Sequence, residues 1–256
     1  MNIAVLIVTY FFTLTTMAQL KPTTSGVYKW AGHPVEVGED RESRKILEGT
    51  STHLDYLEMH ATTQFPGANP SNAHANDDIE ECIIVKEGTM KVTIEDRSVI
   101  LESGGVILLM PRQMHSLQNA GNSNLTYYVM RYRSKNKMDL ERGEAAGGSL
   151  ILNADSLNFK PNVRGGIRTY FDRPTTMCSR FEMHSTLLNA KGPSHEPHAH
   201  EETEIVLVLS GNTEMTIDCK EYKGTAGDFY LINSHLMHGV RNPTDEPCSY
   251  FVMLWK

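Results

Sequence analysis

The sequence predicts an all-β protein made of two tandem copies of one barrel-like domain, and three observations carry that reading. The chain repeats itself at a nearly constant offset. Its apolar segments are short, rich in β-branched and aromatic residues, and divided by Gly, Pro, Asn and Asp. No segment sustains a 3.6-residue apolar period over three turns.

The repeat is dense enough to set the register. Glu58-Met59-His60-Ala61-Thr62 returns as Glu182-Met183-His184-Ser185-Thr186, 124 residues on, and the same offset takes His74 to His198 and Asn76 to His200. Further along the offset is 123, pairing Gly88 with Gly211, Gly104 with Gly227, His115 with His238 and Asn119 with Asn242. The copies also end alike, Tyr127-Tyr128-Val129-Met130 against Tyr250-Phe251-Val252-Met253. One residue has been gained or lost between positions 76 and 88. Agreement on this scale indicates duplication. The first copy is expected over 21–133 and the second over 151–256. Residues 134–150, charged and then Gly-rich, read as a linker. Strands are expected at 89–94, 106–110, 125–132, 180–188, 204–209, 213–217, 229–232 and 249–255. Many short strands with turn punctuation indicate a sandwich or barrel.

The N-terminus differs in kind. Residues 3–14 are almost wholly apolar and uncharged, and Thr16-Met17-Ala18-Gln19 follows. A short apolar run ahead of a small residue predicts a signal peptide, residues 1–18, cleaved after Ala18. A spanning helix needs about 20 apolar residues, and this run is shorter. The first residues lack Lys and Arg, so only the α-amino group supplies positive charge there. The expected location is outside the cytoplasm, periplasmic or secreted, with no membrane association after cleavage. Export permits disulfides, but Cys82, Cys178, Cys219 and Cys248 show no CxxC pair, and free thiols are at least as compatible with their placement. With 24 Lys and Arg against 31 Asp and Glu, the net charge of −7 argues against a nucleic-acid partner.

Chemistry concentrates in the second copy. It reads Gly192-x5-His198-x-His200-x3-Glu204-x6-Gly211, then Gly227-x5-Asn233-x-His235-x2-His238-x3-Asn242. Alternate strand residues share a face, so His198 and His200 aim into one cavity. Glu204 opens the next strand, and a barrel brings His238 across. Three imidazoles and a carboxylate suit one borderline divalent ion per chain, Mn, Fe, Ni, Cu or Zn. Ligands gathered on one side leave positions open for a small-molecule substrate. The first copy keeps His74, Glu81 and His115 but has Asn76 for the second imidazole, which predicts a weaker or empty site. Asp77 or Asp78 would be the compensating ligand. Glu182 and His184 have the parity to reach the cavity as catalytic base and orienter. The retained pair Glu58 and His60 argues instead for a structural contact common to both halves. Arg168 and Arg180 are candidate carboxylate binders. Glu196 shares parity with His198 and His200, whereas His195 and His235 are expected to point away or line the mouth.

These residues resemble the two signature motifs of the cupin superfamily, over nearly the whole chain after the leader. The first motif of the second copy matches at every fixed position. The second keeps Gly227, His238 and Asn242, with Asn233 where Pro is usual and His235 where Gly is usual. The resemblance implies two cupin barrels of the jelly-roll, double-stranded β-helix type, a degenerate metal site in the first and an intact one in the second. Such cupins include sugar isomerases, enzymes handling unsaturated uronates, dioxygenases, lyases and ureidoglycine aminohydrolase. Together with export, this leans toward products of polysaccharide breakdown. The alternative is a non-catalytic binding or storage bicupin. Barrels of this kind commonly pair through edge strands, so a homodimer is the expected assembly.

Overall fold

A computed structural model describes residues 19–256; the signal-type run and its cleavage site at Ala18 lie outside the described residues. Each strand read from the sequence has a counterpart with ends shifted by a residue or two. They are Met90–Ile94, Val106–Leu109, Leu125–Ser134, Phe181–Leu188, Thr203–Ser210, Asn212–Ile217, Phe229–Ile232 and Cys248–Trp255.

Two seven-stranded antiparallel sheets dominate. Strands Glu80–Glu87, Leu125–Ser134, Leu54–Gln64 and Arg41–Gly49 lie side by side in the first; Thr203–Ser210, Cys248–Trp255, Phe181–Leu188 and Gly165–Arg173 repeat that order in the second. A three-stranded sheet containing His115–Asn119 and a four-stranded sheet containing His238–Asn242 complete the respective barrels.

Strand alternation places the cores. Ile83 and Val85 point into the first barrel with Val92, Ile107 and Val129, and Val206 and Val208 point into the second with Met215, Tyr230 and Val252. Their neighbours Cys82, Ile84, Ile205 and Leu207 face the other way, into a third and larger core between the barrels that also holds Met59, Tyr132, Phe181, Met183 and Trp255. The central strands are thus buried on both faces, which is why they read as continuous apolar runs rather than clean alternation. Glu204 shares the inward parity of Val206 and is carried into the second barrel.

The halves also exchange strands. Gly26–Tyr28 adds to the second barrel's sheet beside Phe229–Ile232, and Leu150–Leu152 adds to the first barrel's sheet beside Val106–Leu109. The two guests stand at equivalent places in the repeat, so the exchange is reciprocal. Within 134–150, residues Leu140–Ala145 form a short helix whose N-cap, Asp139, accepts a hydrogen bond from the Arg142 backbone at 2.9 Å. All four cysteines are free thiols, three of them buried. No helix among the described residues is long and apolar enough to cross a membrane.

The motif glycines have a backbone reason. Gly88 and Gly211 sit at φ of 85° and 73°, and an added Cβ would stand 2.4 Å from the Asn124 carbonyl oxygen and 2.5 Å from that of Pro247. Neither the dihedral nor the space admits a side chain.

Candidate metal centre

His198 and His238 are joined by a two-residue antiparallel bridge, with backbone N–H···O distances of 2.9 and 2.8 Å. That pairing sets their side chains on one face, ring centroids 4.6 Å apart. His200 joins them, and ligand nitrogens of the three rings lie within 4.8 Å of one another. Glu204 closes the group. Its Oε2 stands 2.9 Å from Nε2 of His200 and 3.1 Å from Nε2 of His238.

The backbone fixes which ring nitrogens face the centre. Nδ1 of His200 lies 3.1 Å from the Glu202 carbonyl oxygen, and Nδ1 of His238 lies 2.8 Å from that of Leu236. A carbonyl only accepts, so each Nδ1 carries a proton and each Nε2 points its remaining chemistry inward, the usual support for a metal-ligating histidine. Burial alone would raise the Glu204 pKa, but its contacts with His200 and His238 win and bring it down to about 2. Burial and the neighbouring imidazoles hold His198 below its ordinary value, in the neutral ligating form. For His238 burial pulls downward and the Glu204 carboxylate more than offsets it. An anionic carboxylate among converging imidazoles fits a borderline divalent cation. His198, His200, Glu204 and His238 are the residues that would hold it.

His198, His200 and Glu204 line a cavity of about 130 Å³ that is also lined by Ile167, Val240, Val252 and Leu254 and reached by His184 and His195. Nδ1 of His184 is 3.0 Å from Glu182 Oε1, and Glu182 Oε2 lies 2.5 Å from Arg180. The two side chains are hydrogen-bonded to each other, but only one of them reaches the cavity. His184 faces the cavity, while Glu182 is held behind it.

Several other expectations need correction. Arg180 also binds Asp172 at 2.8 and 3.0 Å and Glu202 at 3.0 Å, so its guanidinium is spent on protein carboxylates. Arg168 lies in a separate cavity between the barrels, because it alternates with Ile167 along its strand. Glu196 is exposed and does not line the site, since 194–202 is a loop closed by the His198 bridge and strand parity does not extend through it. His195 does line the mouth, its ring centroid 4.6 Å from that of His198. His235 is exposed at φ 65°, in a turn where its backbone N–H donates to the His200 carbonyl at 2.7 Å.

The first barrel repeats the scaffold with a different filling. His74 and His115 form the same bridge, and Glu81 Oε2 lies 3.0 Å from His115 Nε2. Asn76, however, accepts a hydrogen bond from Arg131 at 3.0 Å. The same guanidinium reaches Glu58 at 3.2 Å and brings Nε to 3.1 Å from Glu81, within ion-pair distance though off-line for a hydrogen bond. Leu254 stands at this place in the second barrel, paired across the sheet with Glu204 as Arg131 is with Glu81. Sequence reasoning missed Arg131; the repeat offset, continued to Leu254, is the signal that exposes it. Asp77 and Asp78 do not compensate. Asp77 is exposed, and Asp78 is exposed and paired with Arg133 at 2.8 Å. The Glu58–His60 contact at 3.1 Å repeats the Glu182–His184 contact at 3.0 Å.

Comparison with solved structures returns the same architecture. Protein Ylba from E. coli superposes with a TM-score of 0.70 at 14% identity, over 93% of this chain and 94% of that one. AerE from Microcystis aeruginosa gives 0.69 at 13%, over 91% and 100%. Lactobacillus farciminis oxalate decarboxylase gives 0.70 at 14%, over 91% and 86%. At such identity the likeness is one of fold. No curated relative matches the chain in sequence. The cupin domain family model matches twice, over residues 62–131 and 186–254, once in each barrel. The chain therefore belongs to the cupin family and carries two cupin domains in tandem.

Proposed function

We propose that the protein is a metal-dependent cupin enzyme acting on a small oxygenated metabolite in its C-terminal barrel. The observation that carries this is an oriented histidine, His184, lining the same cavity as His198, His200 and Glu204 of the ligand group. A bound divalent ion would polarise a carbonyl or hydroxyl oxygen of the substrate as a Lewis acid. The protein's own contribution is proton handling and selection. Nδ1–H of His184 donates to Glu182, which leaves Nε2 as its accepting nitrogen. A proton taken there from substrate is stabilised by Glu182, itself anchored by Arg180. Ile167, Val240, Val252 and Leu254 give the rest of the cavity an apolar wall. A volume of about 130 Å³ corresponds to roughly four waters' share of liquid, so the reacting end of the substrate is small.

A sugar- or uronate-derived product of polysaccharide breakdown fits this reading together with export; isomerase and lyase chemistry would begin from a polarised oxygen, and dioxygenase chemistry would need dioxygen as a co-substrate. The structural neighbours include oxalate decarboxylases from Lactobacillus farciminis and Bacillus subtilis, and the latter is described with Mn(II) centres. This favours small acids and Mn in the first trials. The reading includes export with cleavage after Ala18 and a homodimeric assembly; N-terminal mass measurement and sedimentation test those two points.

The test is a turnover screen of purified protein on uronates, keto-acids, ureides and oxalate, with Mn, Fe, Ni, Cu and Zn supplied separately. Metal-dependent turnover that disappears in His200→Ala supports the proposal. Metal and ligand binding with no turnover on any of them would make the barrel a binding module instead.

A further inference from the structure

The duplication supplies an internal control for every position, and one place fails it in an informative way. In the first half Trp30 sits at the seam between the barrels. Its ring meets Tyr128 edge-on at 5.6 Å, lies 4.6 Å from the guanidinium carbon of Arg44 and 5.4 Å from the ammonium of Lys86, and rests against Gly227. Arg44 is charge-paired with Glu42 at 3.6 Å.

The repeat offset gives the other half's version of this arrangement. Trp30 corresponds to Ala154, Gly227 to Gly104, Tyr128 to Phe251, Arg44 to Arg168, and Lys86 to Leu209. Glu42 corresponds to Gly166. The scaffold around the position is kept: a Cβ on Gly104 would meet Ala154 at 3.2 Å, as one on Gly227 would meet Trp30 at 3.3 Å. The indole and the carboxylate are both gone, and two other rings take part of their space: Tyr170 meets Phe251 edge-on at 5.2 Å and donates to the Gly104 carbonyl at 2.8 Å, and the Phe159 ring lies 2.2 Å from where a Cβ on Gly166 would stand. What stands there is a cavity of about 360 Å³ lined by Gly104, Ala154, Arg168, Leu209 and Phe251, with Lys86 also reaching it. It is larger than the cavities of about 130 and 190 Å³ in the two barrels.

Arg168 is left without its acid. Among the described residues it makes no ion pair, its Nε is buried without a hydrogen-bond partner, and the Phe159 ring lies 4.9 Å from the guanidinium carbon. A buried, unpaired guanidinium nitrogen is costly. A carboxylate in the cavity would supply the acid that Arg168 lacks through the outer guanidinium nitrogens, because guanidinium both stacks on flat rings and binds carboxylate.

We infer that this cavity is a binding site for a small planar aromatic carboxylate, whose ring lies beside Gly104 and Ala154, where Trp30 stands in the other half, and whose carboxylate meets the Arg168 guanidinium. The site is separate from the metal centre. Ile167 and His184 line the metal cavity, and their strand neighbours Arg168 and Ser185 line this one, on the opposite face of the sheet.

Calorimetric titration of the full chain with indole-3-carboxylate tests it, with benzoate as a smaller probe and indole as the neutral one. Saturable binding with a Kd of about 1 mM or tighter is expected for a ligand of this size. Ala154→Trp, which refills the cavity as its counterpart does, should weaken it at least about tenfold, and so should Arg168→Gln. His200→Ala should bind as wild type does. Circular dichroism confirms that each variant is folded, and Ala154→Trp alone suffices if Arg168→Gln is not. The inference is overturned if neither carboxylate binds, if indole binds as tightly as its carboxylate, if folded Ala154→Trp binds like wild type, or if His200→Ala abolishes binding.

Discussion

Arg131 donates a hydrogen bond to Asn76 at 3.0 Å, so the residue that stands in for an imidazole in the N-terminal barrel is already engaged by a fixed cation. The guanidinium also lies against Glu81 and Glu58. Burial raises the Glu81 pKa, and the His115 contact and the His115 and Arg131 charges more than reverse that, so the carboxylate stays ionised without a metal. The degenerate barrel is therefore charge-balanced from within, and loss of the second histidine is half of the change.

A conversion experiment follows. Asn76→His together with Arg131→Leu, the pair found in the C-terminal barrel, should install a second metal site. In a His200→Ala background, metal content should rise from near zero to about one ion per chain, measured by plasma emission. Asn76→His alone should gain little, because a cation placed among the ligands opposes a second one. Equal metal uptake by the single and double variants would show that Arg131 has no part in exclusion.

The oriented histidine gives a second prediction. His184→Gln should lower turnover by about 10²- to 10⁴-fold, the usual worth of a positioned acid–base group, while metal content is unchanged. Glu182→Gln should lower it less, since it acts through His184. Full activity in His184→Gln would remove the residue from the chemistry.

A third prediction concerns the seam. Glu80 is buried between the barrels and accepts from the Thr175 hydroxyl at 2.6 Å and the backbone of Thr176 and Met177 at 3.2 Å each. Burial dominates and raises its pKa despite those donors. A carboxyl raised on folding contributes most below its unfolded pKa of about 4.3, and that contribution is lost as pH rises through the folded value. Glu80→Gln resembles the protonated form at every pH. Its melting temperature relative to wild type should therefore be most favourable near neutrality and fall back as pH approaches 4. A difference independent of pH would contradict this.

Local signals made much of the architecture legible. Offsets of 124 and 123 follow from the printed residues, and short β-branched runs specify strands whatever their partners. The spacing from His198 to Glu204, with His238 opening the fourth strand after that of Glu204, is enough to name the side chains the structure gathers. What stayed hidden depends on which strand lies beside which. Gly26–Tyr28 and Leu150–Leu152 are three-residue strands whose burial comes from the opposite barrel, so nothing in their own pattern assigns them a sheet. Arg131 lies outside the motif, and its meeting with Glu81 needs the register of two strands 50 residues apart. Parity arguments failed at Glu196 because the loop around His198 offers a single bridge rather than a continuous strand.

The central claim is that His198, His200, Glu204 and His238 hold one divalent ion. The direct measurement is metal content per chain, by plasma emission, for wild type and for His200→Ala after supply of Mn, Fe, Ni, Cu or Zn. About one ion per wild-type chain and near none in the variant is the predicted result. No bound metal under any supply, or the same content with His200 replaced, would contradict it.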